Sequence, residues 1–241
     1  MTLIESASKI RRIERPESVS AQTYEGIRHM IISCQLSPGT PVIEADLARQ
    51  FGISRSPLRE AVRRLEEEGF VEVIEGRARL VATITPGKVL QLYELRCVLE
   101  KFAADRAQGL ISSEALDRVT GKFDDLLVEL NRANVIPFNN CDFEFHSLYI
   151  SRCGNSLIIE QLRKLESQLQ RVWNYVGSHV FHTRLAYHEH LEIVDAIRLP
   201  RPGSLAAAVE RHVIGSGRRM AGFVEERAAT TDMAPMAETL P

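Results

Sequence analysis

The sequence predicts a mainly α protein, with three helices and a β-hairpin followed by an all-α six-helix bundle. Three observations predict it. Helical periodicity fills most of the chain. Two short β-rich runs, "FVEVI" and "ARLVATI", stand together after the third helix with only "EGR" between them, which is a hairpin signal. Beyond "ATITPGKVL" nearly everything has helical period. The 241 residues carry a formal net charge of −2 and 44% hydrophobic content, a soluble composition long enough for two modest domains. The longest apolar runs fall far short of a membrane span, and the N-terminus lacks the apolar core of a signal peptide. Both predict a cytoplasmic protein without membrane contact. Cys34, Cys97, Cys141 and Cys153 have no CxxC spacing and read as reduced thiols.

Residues 1–18 are charged and aperiodic and predict a mobile arm. Residues 19–85 carry the three helices and the hairpin. The first helix is predicted over 21–34, with Tyr24, Ile27 and Ile31 along its faces, and ends at the turn signal "QLSPGT". The second, 44–50, stops at Gly52. The third, 57–68, stops at Gly69, with Ser56 as N-cap and Pro57 as first helical residue. Thr85 caps a helix that starts at Pro86, which sets the boundary between the domains. Six helices are then predicted, over 86–107, 113–133, 137–151, 156–178, 183–198 and 204–227. Gly109, Pro137, Gly154-Asn155 and "LPRPGS" mark the breaks. Residues 228–241 predict a disordered tail.

Positive charge gathers in one place. Arg49, Arg55, Arg59, Arg63 and Arg64 fall within sixteen residues that hold a single acid, Glu60. In the third helix Leu58, Ala61, Val62 and Leu65 share one face, while Arg55, Arg59 and Arg63 follow one another at spacings of four on another. A short helix, a glycine turn and a second helix with cations at its start make a helix-turn-helix, whose second helix presents its N-terminal residues to base edges in the major groove. Arginine suits that task because its planar fork bonds guanine O6 and N7 together. The hairpin forms a wing, with Arg77 at its tip able to enter the adjacent minor groove. The bland alternative is a solvated face that pairs with the acids of "LEEEGF". The glycine turn, the Ser-Pro start and the hairpin all weigh against it.

"IEADLARQFGISRSPLREAVRRLEEEGFV" resembles the winged helix-turn-helix of GntR-type bacterial transcription regulators. The matching positions are Leu47-Ala48, Gly52, Ser54-Arg55-Ser56-Pro57, Arg59-Glu60-Ala61, Leu65 and Gly69. The resemblance implies that Arg55, Ser56 and Arg59 contact DNA, in a basic segment that Arg49 opens, and that Gly76 lies at the wing tip. Two departures bear on the operator sequence: Ala45 stands where an arginine is frequent, and "EGRARLV" lacks a second glycine after its first arginine.

In the helical part, "CDFEFHSLYI" places Asp142 and His146 four apart, on one side of a helix. "YHEHLEIVDAI" and "VERHVIG" offer His190 and His212. Three imidazoles and a carboxylate suit Zn²⁺, with Ni²⁺ or Mn²⁺ next, and leave room for a further ligand. A lone Asp-x3-His pair is more often structural than ligating, so the residues alone leave both readings open. Residues 86–227 resemble the ligand-binding (FCD) domain of the FadR branch of these regulators, through "ELRCVLEKFAA", the Asp-x3-His helix, Gly154-Asn155, the histidine before "LEIVDAI" and a histidine in the last helix. The resemblance implies a divalent metal, zinc first, held by Asp142, His146, His190 and His212. A count of six helices points to the metal-binding, VanR-like subgroup. It also implies that Arg96 holds the carboxylate of a small effector, whereas its bland role is an i,i+4 pair with Glu100. His188 turns to the far side of its helix. His179 and His182 are placed in a linker at the surface.

The expectation is a homodimeric transcription regulator, leaning to repression, that binds a near-palindromic operator on double-stranded DNA in the bacterial cytoplasm and associates with the nucleoid when bound. A small carboxylate in the bundle would shift the DNA-binding domains through the Thr85–Pro86 junction. The alternatives are a metal-dependent hydrolase with an attached DNA-binding domain, and a pure interaction bundle. No catalytic residue is predicted: HExxH, GxSxG and a phosphate loop are all missing. Glu144 is the general-base candidate nearest in sequence, but its helical position turns it away from Asp142.

Overall fold

The computed structural model describes residues 18–74, 78–177 and 179–232. The chain divides into two compact units, one built from the described residues up to Ile31 with Gln35–Ala82, the other from Ile32–Cys34 and Thr83 onward.

The first unit contains α1 (Val19–Ile32), α2 (Glu44–Phe51), α3 (Arg55–Glu67) and the strands β1 (Val71–Ile74) and β2 (Ala78–Val81). Tyr24, Ile27 and Ile31 of α1 are buried together with Leu58, Ala61, Val62 and Leu65 of α3, the face that the i, i+3, i+4, i+7 spacing predicts. Gly52 closes α2 in the left-handed conformation (φ 65°), which a side chain would strain, and the next N–H, Ile53, reaches back to the Ala48 carbonyl. α3 starts two residues earlier than predicted. Ser54, not Ser56, is its N-cap residue and makes no side-chain capping bond. Pro57 therefore sits in the third helical position. It is tolerated because the first four N–H groups of a helix have no partner inside it. The strands pair antiparallel, Val71 with Val81 through Ile74 with Ala78, and a single bridge ties Pro41 to Leu80. Gly76 and Arg77, the two wing-tip positions, lie outside the described residues.

The second unit contains α4 (Pro86–Ala107), α5 (Ser113–Thr120), α6 (Phe123–Asn131), α7 (Ile136–Ile150), α8 (Ser156–Val176), α9 (Val180–Arg198) and α10 (Ser204–Asp232). Thr85 caps α4 by accepting the Lys88 N–H (3.3 Å), and Asn155 caps α8 by accepting from Leu157 and Ile158. The helix predicted over 113–133 is broken at Gly121-Lys122 into α5 and α6. The second unit therefore holds seven described helices where six were predicted, although Gly121 at the break keeps a right-handed backbone and bonds back to Asp117.

The largest boundary differences are at α9 and α10. α9 begins at Val180, before the predicted 183, which places His182 inside a helix rather than in a surface linker. α10 runs to Asp232, past the predicted end at 227, so the start of the predicted disordered tail is helical. Ala228 and Ala229 are strong helix formers, and Arg227 lies over the Tyr175 ring at 4.6 Å. Residues 233–241 lie outside the description.

α4 runs through the bundle against α10, α7 and α8. Tyr93 is buried at its centre, and its hydroxyl accepts from the Trp173 indole (3.0 Å). α4 and α10 approach closely at Gly217, where a Cβ would lie 2.6 Å from the Tyr93 Cβ. All four cysteines are free thiols. Among the described residues no helix is long and apolar enough to cross a membrane.

Candidate nucleic-acid interface and metal centre

At the start of α3, Arg55, Ser56 and Arg59 are exposed, and Arg55 has no ion-pair partner among the described residues. Arg59 pairs with Glu44 (2.9 Å) and Arg49 with Asp46 (2.8 Å). Such exposed pairs contribute about 0.2–1 kcal/mol and exchange readily for a phosphate or a base edge. Further along α3 the bland reading applies. Arg63 pairs with Glu67 and Arg64 with Glu68, and Arg64 also lies 3.6 Å over the Tyr24 ring. The helix thus starts at an Arg55 with no ion-pair partner among the described residues, reinforced by its own dipole, and ends in arginines paired with its own acids.

In the bundle, α7 supplies Asp142 and His146, α9 His190 and α10 His212. All four side chains are buried, and their ligating atoms lie within 4.8 Å of one another. His190 Nε2 is 3.3 Å from His212 Nε2 and 3.4 Å from Asp142 Oδ1, and His146 Nε2 is 3.8 Å from the same oxygen. A zinc ion with bonds of about 2.0–2.1 Å sets neighbouring donors about 3.0–3.4 Å apart, so these side chains fit one ion with small adjustments. A second observation agrees: Asp142 Oδ2 is buried and accepts no hydrogen bond, with Arg96 Nη2 at 4.0 Å. A buried carboxylate oxygen left in that state is costly unless a cation approaches it. Burial pushes the Asp142 carboxyl up, against the lowering pull of His146 and Arg96. Burial likewise holds His190 and His212 well below the ordinary imidazole value, and neighbouring cationic groups add to it. Both rings are therefore neutral at pH 7, the form that ligates.

The surroundings orient the donors. Phe145 and Phe138, one above and one below on α7, stack on His190 at 4.3 and 5.2 Å between centroids. His146 Nδ1 donates to Glu100 Oε2 (2.7 Å), which also accepts from Tyr149 (2.5 Å). His212 Nδ1 donates to Glu189 Oε2 (2.8 Å). An ionised carboxylate only accepts, so both imidazoles keep their proton on Nδ1 and direct the Nε2 lone pair inward. Burial alone would raise the Glu100 carboxyl, but Arg96 and His146 outweigh it and hold it well below the usual range.

Arg96 does form the expected pair with Glu100, its Nε donating to Oε1 at 2.5 Å. The pair is buried on both sides, so the weak energetics of an exposed pair do not apply. Arg96 Nη2 also lies against the His146 ring, 3.0 Å from Nδ1 and 3.2 Å from Nε2. The residue lines two cavities. One, of about 30 Å³, faces Asp142 and His212 and is walled by Tyr93, Trp173 and His182. The other, of about 310 Å³, opens between α4, α7 and α8 beside Phe143, Leu162 and Glu166.

Sequence reasoning overlooked Glu100 as a site residue, because an i,i+4 neighbour of an arginine reads as a surface pair. It also missed Glu189, which stands between His188 and His190 in the sequence. His188 is exposed, and Glu144 is exposed and paired with Lys122 (2.6 Å), as their helical positions predict.

A winged helix-turn-helix followed by a helical bundle with a buried polar site defines a class, the ligand-responsive DNA-binding regulators. Residues 19–81 match the bacterial regulatory proteins of the gntR family, and residues 91–215 match the FCD domain. The chain belongs to the GntR family of transcription regulators, in its FCD-containing branch. It is 25% identical over 197 residues to the HTH-type transcriptional repressor RspR of Escherichia coli K12, across 82% of this chain and 86% of that one. It is 28% identical over 188 residues to the Nta operon transcriptional regulator of Aminobacter aminovorans, across 76% and 86%. The solved structure of E. coli McbR/YncC shares the fold, with a TM-score of 0.63 at 17% identity, over 88% of this chain and all of that one. These relatives are transcription regulators, and none supports the hydrolase alternative.

Proposed function

We propose that the chain is a homodimeric repressor whose grip on a near-palindromic operator is set by a small carboxylate bound beside a divalent metal in the bundle. The observation that carries the ligand response is the convergence of Asp142, His146, His190 and His212 on one buried point under Arg96. These four would hold the ion, zinc first by its nitrogen-rich donor set, with nickel or manganese next. The metal would supply positive charge and an open position for a carboxylate oxygen. Arg96, whose Nη2 lies against both nitrogens of the His146 ring, would supply a second positive charge beside the ion. Metal and guanidinium together then favour an anion.

In this reading Arg55, Ser56 and Arg59 contact the operator, with Arg49 on a phosphate and Gly76 and Arg77 at the wing tip. The dimer is supported by a stripe on α4, Leu95, Val98 and Phe102, which are 50%, 67% and 47% exposed and lie on one face at i, i+3, i+7. GntR regulators are generally dimeric, and a second copy is the occupant that a near-palindromic site requires.

The test is operator binding followed by fluorescence anisotropy, with the DNA upstream of the protein's own gene at fixed salt. Arg55→Ala and Arg59→Ala are each expected to weaken binding by about 1–3 kcal/mol with the circular dichroism unchanged. Full affinity in both variants would remove α3 from the interface. Binding that does not respond to chelation and zinc readdition would remove the metal from the switch.

A further inference from the structure

We propose that Glu189 and Arg219 are positioning residues for His212, fixing it as a metal ligand and tying it to His182 on the wall of the same cavity. The inference rests on the metal reading above and extends it to the groups behind the donors. Glu189 Oε2 accepts from His212 Nδ1 at 2.8 Å. Arg219 holds that carboxylate with both ends of its fork, Nη1 to Oε1 at 2.9 Å and Nη2 to Oε2 at 2.7 Å. Its Nη2 also donates to Ser216 Oγ (3.1 Å) and its Nε to His182 Nδ1 (3.0 Å). A guanidinium only donates, so His182 must accept at Nδ1 and carry its proton on Nε2. The chain of contacts therefore runs His182–Arg219–Glu189–His212, with every donor and acceptor role settled and with His182 and His212 both lining the 30 Å³ cavity.

The local sequence makes room for this chain. At Gly215 a Cβ would lie 3.1 Å from Arg219 Nη1 and 3.4 Å from Glu189 Oε1. Any other residue there would crowd the fork against the carboxylate. A carboxylate behind a ligating imidazole fixes its tautomer and ring orientation and raises its basicity, and removing such a group typically weakens metal affinity 10–100-fold. The bidentate arginine keeps the carboxylate ionised and in place.

The experiment uses the full-length chain and Zn²⁺ alone, by competition with a chromophoric chelator, alongside ¹⁵N NMR of the histidine rings in the metal-free protein. Wild type is expected to bind zinc and to show His212 protonated on Nδ1. Glu189→Gln should weaken zinc binding about 10–100-fold. Arg219→Lys, one contact further out, should weaken it less, and Glu189→Asp should recover part of the loss. Glu189→Ala should shift the His212 ring away from the pure Nδ1–H tautomer, a change that a merely structural role would not produce. Unchanged zinc affinity in Glu189→Gln, or an unchanged His212 tautomer in Glu189→Ala, would overturn the assignment. A wild type that shows the Nδ1–H tautomer yet binds no zinc would overturn the metal reading instead, together with the ligand role assigned to His212.

Discussion

His182 sits half-buried against a permanent cation, the Arg219 guanidinium, and its environment decides its charge. Burial first, and the positive charge of Arg219 next, lower its pKa to about 4. The unfolded chain titrates near the ordinary value of about 6.5. Between those two values the unfolded state binds a proton that the folded state refuses, so stability present above about pH 6.5 is lost as pH falls toward 4. Thermal melts of metal-free protein should therefore show a falling midpoint across that window. His182→Phe should flatten the slope there, and a slope identical to wild type would assign the acid sensitivity to other groups.

The contact between α4 and α10 turns on single atoms. α10 is 29 residues long and tolerates Gly215, Gly217 and Gly222, although each glycine costs about 1 kcal/mol against alanine in a helix interior. Gly217 has a packing reason: a methyl group there would press on Cβ and Cγ of Tyr93, close to the backbone of a buried residue that cannot swing away. Gly217→Ala should destabilise by about 1–3 kcal/mol, since overpacking outweighs the propensity gain. Gly222 faces open space on the same helix, so Gly222→Ala should stabilise by up to about 1 kcal/mol. Differential scanning calorimetry of the pair decides the matter. Equal shifts of the same sign would show that α4 and α10 can part without cost.

At the scale of the whole molecule, the proposed function requires two copies. The apolar stripe on α4 is compatible with solvent only at a cost of exposed area, and its members alternate with Glu94, Lys101 and Asp105, which keep the helix soluble. Val98→Asp combined with Phe102→Asp places two charges in the proposed interface without touching the buried face of the helix. Sedimentation should then report a monomer, and operator affinity should collapse while the far-UV spectrum is kept. A dimer of undiminished stability would move the interface elsewhere on the bundle.

How much of this was legible beforehand varied with the range of the interaction. Helix faces, turns and caps are local, so the core of α1 and α3, the Gly52 turn, the Thr85 cap and the break at Gly154-Asn155 followed from residue type and spacing. The break at Gly121-Lys122 and the early start of α9 did not, because periodicity continues through a kink and a cap without a side-chain bond leaves no signal. For the metal cluster, spacing supplied only the Asp142–His146 pair, and family resemblance supplied the distant partners.

By itself the sequence determined the three helices and hairpin of the first unit, the basic start of α3 and the Asp142–His146 pair, since each rests on residue chemistry or short spacing, while the resemblance added His190 and His212 as candidate ligands. Only the tertiary structure decided that Glu100 and Glu189 stand behind His146 and His212, that Arg96 is buried between two cavities, and that Arg219 reaches His182. Those contacts join helices far apart in the chain, and burial gives them their strength by taking the charges out of water.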